Sequence, residues 1–251
     1  MVTVNGSSKY RIVLVTILFI WFLSVNAIAQ KLNPKQYFGD SYTEAVEFFI
    51  AKRVDIDSVF SRYNIQVDEA IAIVFPEVIR YNRFRDFAET YALELAYVQG
   101  GKEFADFSIG RFQMKPSFVE NLESEISADT ILSHQFKRII SYSSDMSLQD
   151  IRRERINRLK QFRWQIQYLA CFIRLAEKRF ASVLKEKSEE RLLILSSAYN
   201  MGLNSIYKDL KILSETKTFP FGKSIVGRFS YYDVANYFYT HGISQTSNLN
   251  Q

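Results

Sequence analysis

From Ser41 to Tyr239 the apolar positions recur mostly at intervals of three and four, the spacing that gathers side chains on one face of a helix. Over 41–64, Ala45, Phe48, Phe49 and Val54 lie close to one stripe. Over 67–81, Ile71, Val74, Phe75, Val78 and Ile79 repeat the pattern around Pro76. A proline there either kinks that helix or begins a second one, because it has no N–H and its ring crowds the preceding turn. A helix is predicted over 84–98 and ended by Gly100-Gly101, since glycine accepts the left-handed conformation that closes a helix. Residues 102–115 lack a clean period and read as a structured loop, after which Pro116-Ser117 suits a helix start. The longest element is expected after Met146. There Ser147 and Asp150 resemble a capping box, and Ile156, Leu159, Phe162, Ile166, Leu169, Ile173, Ala176 and Phe180 form a stripe with room for one break. Further helices are expected over 189–199 and 231–239. With no alternating strands, internal repeat or long linker, the pattern predicts an all-α fold.

The first 29 residues have a different pattern. Lys9 and Arg11 precede an apolar run from Ile12 to Leu23 broken only by Thr16, and Ala27 and Ala29 supply an A-x-A signal before Gln30. That is the layout of a secretory signal peptide, and the run is shorter than the about 20 residues a membrane span needs. Cleavage is expected at Gln30, with an uncleaved anchor as the alternative; no Cys follows the site to carry a lipid. The remaining 30–251 has the length of one domain, large enough to bury about 70% of its unfolded surface.

Composition narrows the classes. Nine Gly and four Pro in 251 residues exclude collagen-like and mucin-like chains, and 47% hydrophobic residues exclude a disordered one. One Cys cannot form an internal disulfide or a thiolate zinc site, and Cys171 reads as a small buried hydrophobe among Tyr168, Phe172 and Ile173. Two His, His134 and His241, leave little for a histidine metal centre. Twenty-one Phe and fifteen Tyr suggest a Phe-rich core with Tyr at its edge. Net charge is +5, or +3 once Lys9 and Arg11 leave with the leader. Between Arg152 and Arg163 six of twelve residues are basic: Arg152, Arg153, Arg155, Arg158, Lys160 and Arg163. On a helix they read as a solvated face opposite the apolar stripe, or as a landing strip for an anionic envelope polymer or lipid headgroups. Nucleic acid is not expected as a partner, because export removes it.

Two short motifs carry the candidate chemistry. Ser108, Gly110, Gln113 and Pro116 spell S-x-G-x-x-Q-x-x-P, and Ala198-Tyr199-Asn200-Met201-Gly202 closes a predicted helix. Four fixed letters recur by chance about once in 160,000 positions, so the two together, in this order, are specific. They resemble the lytic transglycosylases of the soluble-lytic-transglycosylase type, peptidoglycan-cleaving enzymes with a lysozyme-like helical domain. The resemblance spans about 67–202, with the aromatic segment near Tyr231 completing the domain. It implies that Ser108 and Gln113 line a sugar groove, that Gly110 lets the backbone approach it, and that Tyr199 and Asn200 sit beside the catalytic acid. Met201 stands where that family usually has Ala, Leu203 where Pro is common, and Arg111-Phe112 where a Leu-Met-like pair is common.

The family's catalytic Glu usually lies much closer to its Ser-Gly loop than Glu77 does to Ser108, so the segment 79–107 would be an insertion. Beside Val74, Phe75 and Val78, the Glu77 carboxyl would have its pKa raised by desolvation, as a general acid requires. If Pro76 began a helix, however, the first-turn dipole would favour the ionised form. Glu94, between Leu93 and Leu95, is the rival; Glu103 and Asp106 are nearer the loop. The resemblance implies a single-acid mechanism without metal or cofactor, acting on peptidoglycan glycan strands in the periplasm or cell envelope and leaving 1,6-anhydro ends. Two alternatives stay open: a hydrolase using water and a second carboxylate, and an inactive wall-binding scaffold.

Overall fold

The computed structural model describes residues 32–83, 90–221 and 227–242. The expected leader, residues 84–89 of the third predicted helix and the last nine residues lie outside them. Among the described residues the chain is all-helical, with isolated bridges at Ile109–Met114 and Phe219–Phe229 and no strand.

The helices run α1 (Pro34–Phe38), α2 (Asp40–Ala51), α3 (Arg53–Phe60), α4 (Val67–Arg83), α5 (Thr90–Gly100), α6 (Pro116–Ala128), α7 (Thr130–Gln135), α8 (Lys137–Ile140), α9 (Leu148–Lys160), α10 (Phe162–Arg179), α11 (Ala181–Glu186), α12 (Arg191–Met201), α13 (Tyr207–Glu215) and α14 (Tyr231–His241). The single stripe expected over 41–64 divides between α2 and α3 at Lys52, whose φ of −103° and ψ of 5° turn the chain. The turn re-aims the second half, so Ile56, Val59 and Phe60 are buried and Val54 is 82% exposed. Helix α4 runs through Pro76 without starting anew, which places Glu77 well past the first turn and removes the dipole argument for its ionised form. The predicted break in the long stripe falls at Gln161, in extended conformation between α9 and α10; Ser147 caps α9 by accepting from the Asp150 N–H. Helix α13 was not predicted.

Two central helices organise the packing. Helix α4 is enclosed by α2, α12 and α14, and every described residue from Ala70 to Ile79 is buried. Helix α10 is enclosed by α3, α6, α9 and α12, and buries Cys171 completely. Phenylalanine contacts run from α4 to α10 by way of α2 and the loop carrying Phe112. Phe75 stacks on Phe238 with centroids 4.0 Å apart, Phe49 stacks on Phe112, and Phe112 meets Phe162 edge-on at 5.5 Å. Fully burying such a ring stabilises by roughly 1.5–3 kcal/mol.

The basic run does not form a continuous solvated face. Arg155 and Arg158 are buried. Arg155 pairs with Glu123 at 2.7 Å and donates to the Tyr97 hydroxyl, while Arg158 donates to the Ile139 and Ser141 carbonyls and lies over the Tyr142 and Trp164 rings. Arg152 donates to the Gln99 carbonyl and Lys160 pairs with Glu94 at 2.7 Å, fastening α9 to α5. Much of the run therefore clamps α5, α6 and α9 together.

Candidate active site

The two motifs meet across one cleft of about 440 Å³. Its first wall comes from α4, which contributes Glu77 and Arg80. The second comes from the loop after α5 and the start of α6, contributing Asp106, Ser108, Gln113 and Phe118. The end of α12 contributes Tyr199, Asn200, Met201 and Gly202.

Glu77 is 6% exposed, and its Oε2 has no hydrogen-bond partner. Its nearest cation is Arg80, one helical turn on, with Nη1 at 3.8 Å. Burial pushes the carboxyl up to about 7 against the opposing pull of Arg80. The carboxyl is thus poised to hold or release a proton near neutrality. Two tyrosines enclose it electrostatically. Tyr199 and Tyr231 are both held protonated, first by burial and then by the charge of Glu77. The Tyr199 hydroxyl donates to the Phe112 carbonyl at 2.8 Å, tying the second motif to the first. The Tyr231 hydroxyl donates to the Ile73 carbonyl at 2.9 Å, one turn before Glu77. Pro76 has no N–H to give the Ala72 carbonyl, and the carbonyl next to it, that of Ile73, takes a donor from α14.

The loop carrying Ser108 is a tight turn rather than irregular chain. Ile109 and Met114 exchange backbone hydrogen bonds at 2.9 and 3.1 Å. Gly110 and Gln113 take positive φ of 71° and 50°, and the Gln113 amide donates to the Gly110 carbonyl at 2.8 Å. Gly110 does not line the cleft, contrary to its expected role. A Cβ there would stand 1.9 Å from Gln165 Nε2 and 2.8 Å from the Leu159 carbonyl oxygen, so what approaches its backbone closely is the junction of α9 and α10. Gln165, 1% exposed, accepts from the Phe112 N–H at 2.9 Å and donates to the Leu159 carbonyl at 2.7 Å.

The other acids are accounted for differently. Glu94 lies outside the cleft lining and is paired with Lys160. Glu103 is exposed and also outside the lining. Asp106 does line the cleft, but both its oxygens serve α6: one accepts from the Ser117 N–H at 3.0 Å, the other from the Ser117 hydroxyl at 2.8 Å. Sequence reading missed Arg80, Gln165 and Tyr231 as contributors. Arg80 had a signal, its i+3 spacing from Glu77; Gln165 had a weaker one, a polar residue beside the apolar stripe. Tyr231 had none, being 154 positions from Glu77 along the chain. Among the described residues, no group of three His, Cys, Asp or Glu side chains is placed to hold a metal.

No protein-family model, curated protein or solved structure matches this chain.

Proposed function

We propose that the chain is a peptidoglycan lytic transglycosylase, an exported cell-envelope enzyme with a lysozyme-like helical domain that cleaves the MurNAc–GlcNAc β-1,4 bond. One observation carries the reading: Glu77, a carboxyl with a raised pKa and an unpartnered buried oxygen, stands in the cleft that both motifs line. The protonated carboxyl gives its proton to the glycosidic oxygen as the C1–O bond breaks and the sugar takes on oxocarbenium character. The resulting Glu77 carboxylate removes the proton of the same sugar's 6-hydroxyl, whose oxygen bonds to C1 and closes a 1,6-anhydro ring. The proton returns to Glu77 and no water is consumed. A single acid suffices for both halves. The engagement of Asp106 with Ser117 favours this over a hydrolytic route needing a second free carboxylate. Gln113, Ser108 and Asn200 supply polar groups to the groove, and Tyr199 ties its two motif-bearing walls together.

The test is digestion of purified sacculi followed by product analysis. Wild type should release anhydro-ended muropeptides, and Glu77→Gln should lose at least about 10²–10⁴-fold in rate, the usual worth of general acid catalysis, while keeping its melting behaviour at acid pH. Reducing-ended products would reassign the chain as a hydrolase. A wild type inert on sacculi, with retained glycan binding, would make it a wall-binding scaffold.

A further inference from the structure

Cations that stay in solvent gather on a face that no run of the sequence shows. Arg163, at the end of the basic run, is exposed on the first turn of α10, and its neighbour Trp164 is half-buried. The Arg138 guanidinium, from α8, lies 5.3 Å from the centre of the Trp164 ring. The charges of Arg138 and Arg62 both reach the Tyr63 hydroxyl, and the half-buried Tyr63 ring stacks on Phe136 with centroids 4.6 Å apart. Lys137 follows Phe136 and is exposed, as are Arg62 and Arg138. Four cations from three separate parts of the chain thus border two amphipathic rings, Trp164 and Tyr63.

Charge on this face has one sign. The stretches 58–67, 130–144 and 155–176, which supply it, contain no Asp or Glu. Six acids bound these stretches, and five are committed elsewhere: Asp57 and Asp68 to Arg53, Asp129 to Lys178, Glu154 to Arg158 and Glu177 to Arg174. The sixth, Asp145, accepts from the Ser143 hydroxyl. Arg62, Lys137, Arg138 and Arg163 are in no ion pair among the described residues. We propose that this face docks on a membrane surface bearing anionic lipid. Exposed Lys and Arg are drawn to the negative surface potential, and Trp and Tyr rings, apolar with a polar edge, settle at the level of the headgroups. The two rings favour lipid over a soluble polyanion, for which charge alone would suffice. None of these six residues lines the cleft, so docking requires nothing of the activity proposed above.

Co-sedimentation of the full chain with vesicles tests this. The probes are vesicles of phosphatidylcholine alone and of phosphatidylcholine mixed with phosphatidylglycerol. Neutral vesicles set the baseline, including any insertion by the apolar run 12–23. The anionic mixture should bind the chain more tightly, and the excess should fade as salt screens it. Lys137→Gln and Arg163→Gln remove exposed charges that hold no ion pair, and each should reduce the excess about fivefold, the worth of one cation at an anionic surface. Lys208→Gln, at an exposed cation of α13 outside the face, should leave it unchanged. In a Trp21→Phe background fluorescence reports Trp164 alone, and its emission should move to the blue on anionic vesicles. Equal binding to both kinds of vesicle overturns the proposal. So does an excess that Lys208→Gln lowers as much as Arg163→Gln does, which would make net charge and not this face responsible. Binding of soluble polyphosphate without a blue shift on vesicles overturns it as well and assigns the face to an anionic polymer.

Discussion

At the scale of single residues, Glu77 makes stability depend on pH in a defined direction, and would do the same for the proposed activity. Its carboxyl ordinarily titrates near 4.5 and is raised to about 7 here by burial. Below about 4.5 it is protonated in both native and unfolded chains and contributes nothing to pH dependence. Between 4.5 and 7 the unfolded chain has released the proton and the native chain still holds it, so stability falls as pH rises through that window. The loss totals about 3 kcal/mol and is complete above pH 7. Glu77→Gln has no such titration, so chemical denaturation at pH 4.5 and pH 8 should show a drop in wild type that is smaller by this amount in the variant. Cleavage should likewise fade above about pH 7, where the acid has lost its proton. Arg80, 3.8 Å away, favours the ionised form. Arg80→Gln should therefore move the alkaline limb of the rate profile upward; a profile unchanged by that substitution would detach the limb from Glu77.

At the scale of elements, the turn over 109–114 closes on its own hydrogen bonds and is anchored to α10 through Gln165. Gly110→Ala introduces a Cβ at 1.9 Å from Gln165 Nε2, with φ at 71°, and should destabilise by about 1–3 kcal/mol. Gln165→Ala leaves the buried Phe112 N–H and Leu159 carbonyl without partners and should cost about 2–4 kcal/mol. The shorter Ala side chain also removes the Gln165 contact with the new Cβ, leaving that with the Leu159 carbonyl oxygen at 2.8 Å. The double variant should then be less destabilised than the two single effects together, and a denaturant double-mutant cycle measures the difference. Strict additivity would mean that Gly110 and Gln165 do not meet.

At the scale of the whole molecule, the α5–α6–α9 region is joined by buried charge and not only by apolar contact. Glu123 accepts from Arg155, Tyr142 and Tyr168, and both ions of the pair are over nine-tenths buried. Arg155→Met leaves the Glu123 carboxylate buried without its cation and should cost about 3–5 kcal/mol. Neither residue lines the cleft, so the rate per folded molecule on sacculi should stay near wild type. A rate loss exceeding the loss of folded protein would show that this cluster also shapes the groove.

The periodicity of apolar residues was enough to establish helices and the burial of Ile166, Leu169 and Ile173, because helix formation and one-sided burial are written in local spacing; it left room for one break, which only the structure placed at Gln161. The glycine stop at Gly101 and the proline start at Pro116 were legible for the same reason: backbone restrictions belong to the residue itself. Tertiary structure decided whatever depended on partners distant in the chain. Val54 lost its expected place because Lys52 turned the helix axis. The charge of Arg155 and Arg158 went inward because Glu123 and the carbonyls of Ile139 and Ser141 were waiting there, and no one-dimensional pattern distinguishes a basic residue that is solvated from one that is paired. Glu77 stood out by its apolar neighbours, but its separation from Glu94 came from three dimensions. One carboxyl lies buried with an unpartnered oxygen between two motif-bearing walls, and the other is neutralised by a lysine 66 residues away. Desolvation raises a pKa where burial outweighs the pull of any nearby cation, as it does for Glu77 against Arg80, and that balance is a property of the assembled cleft.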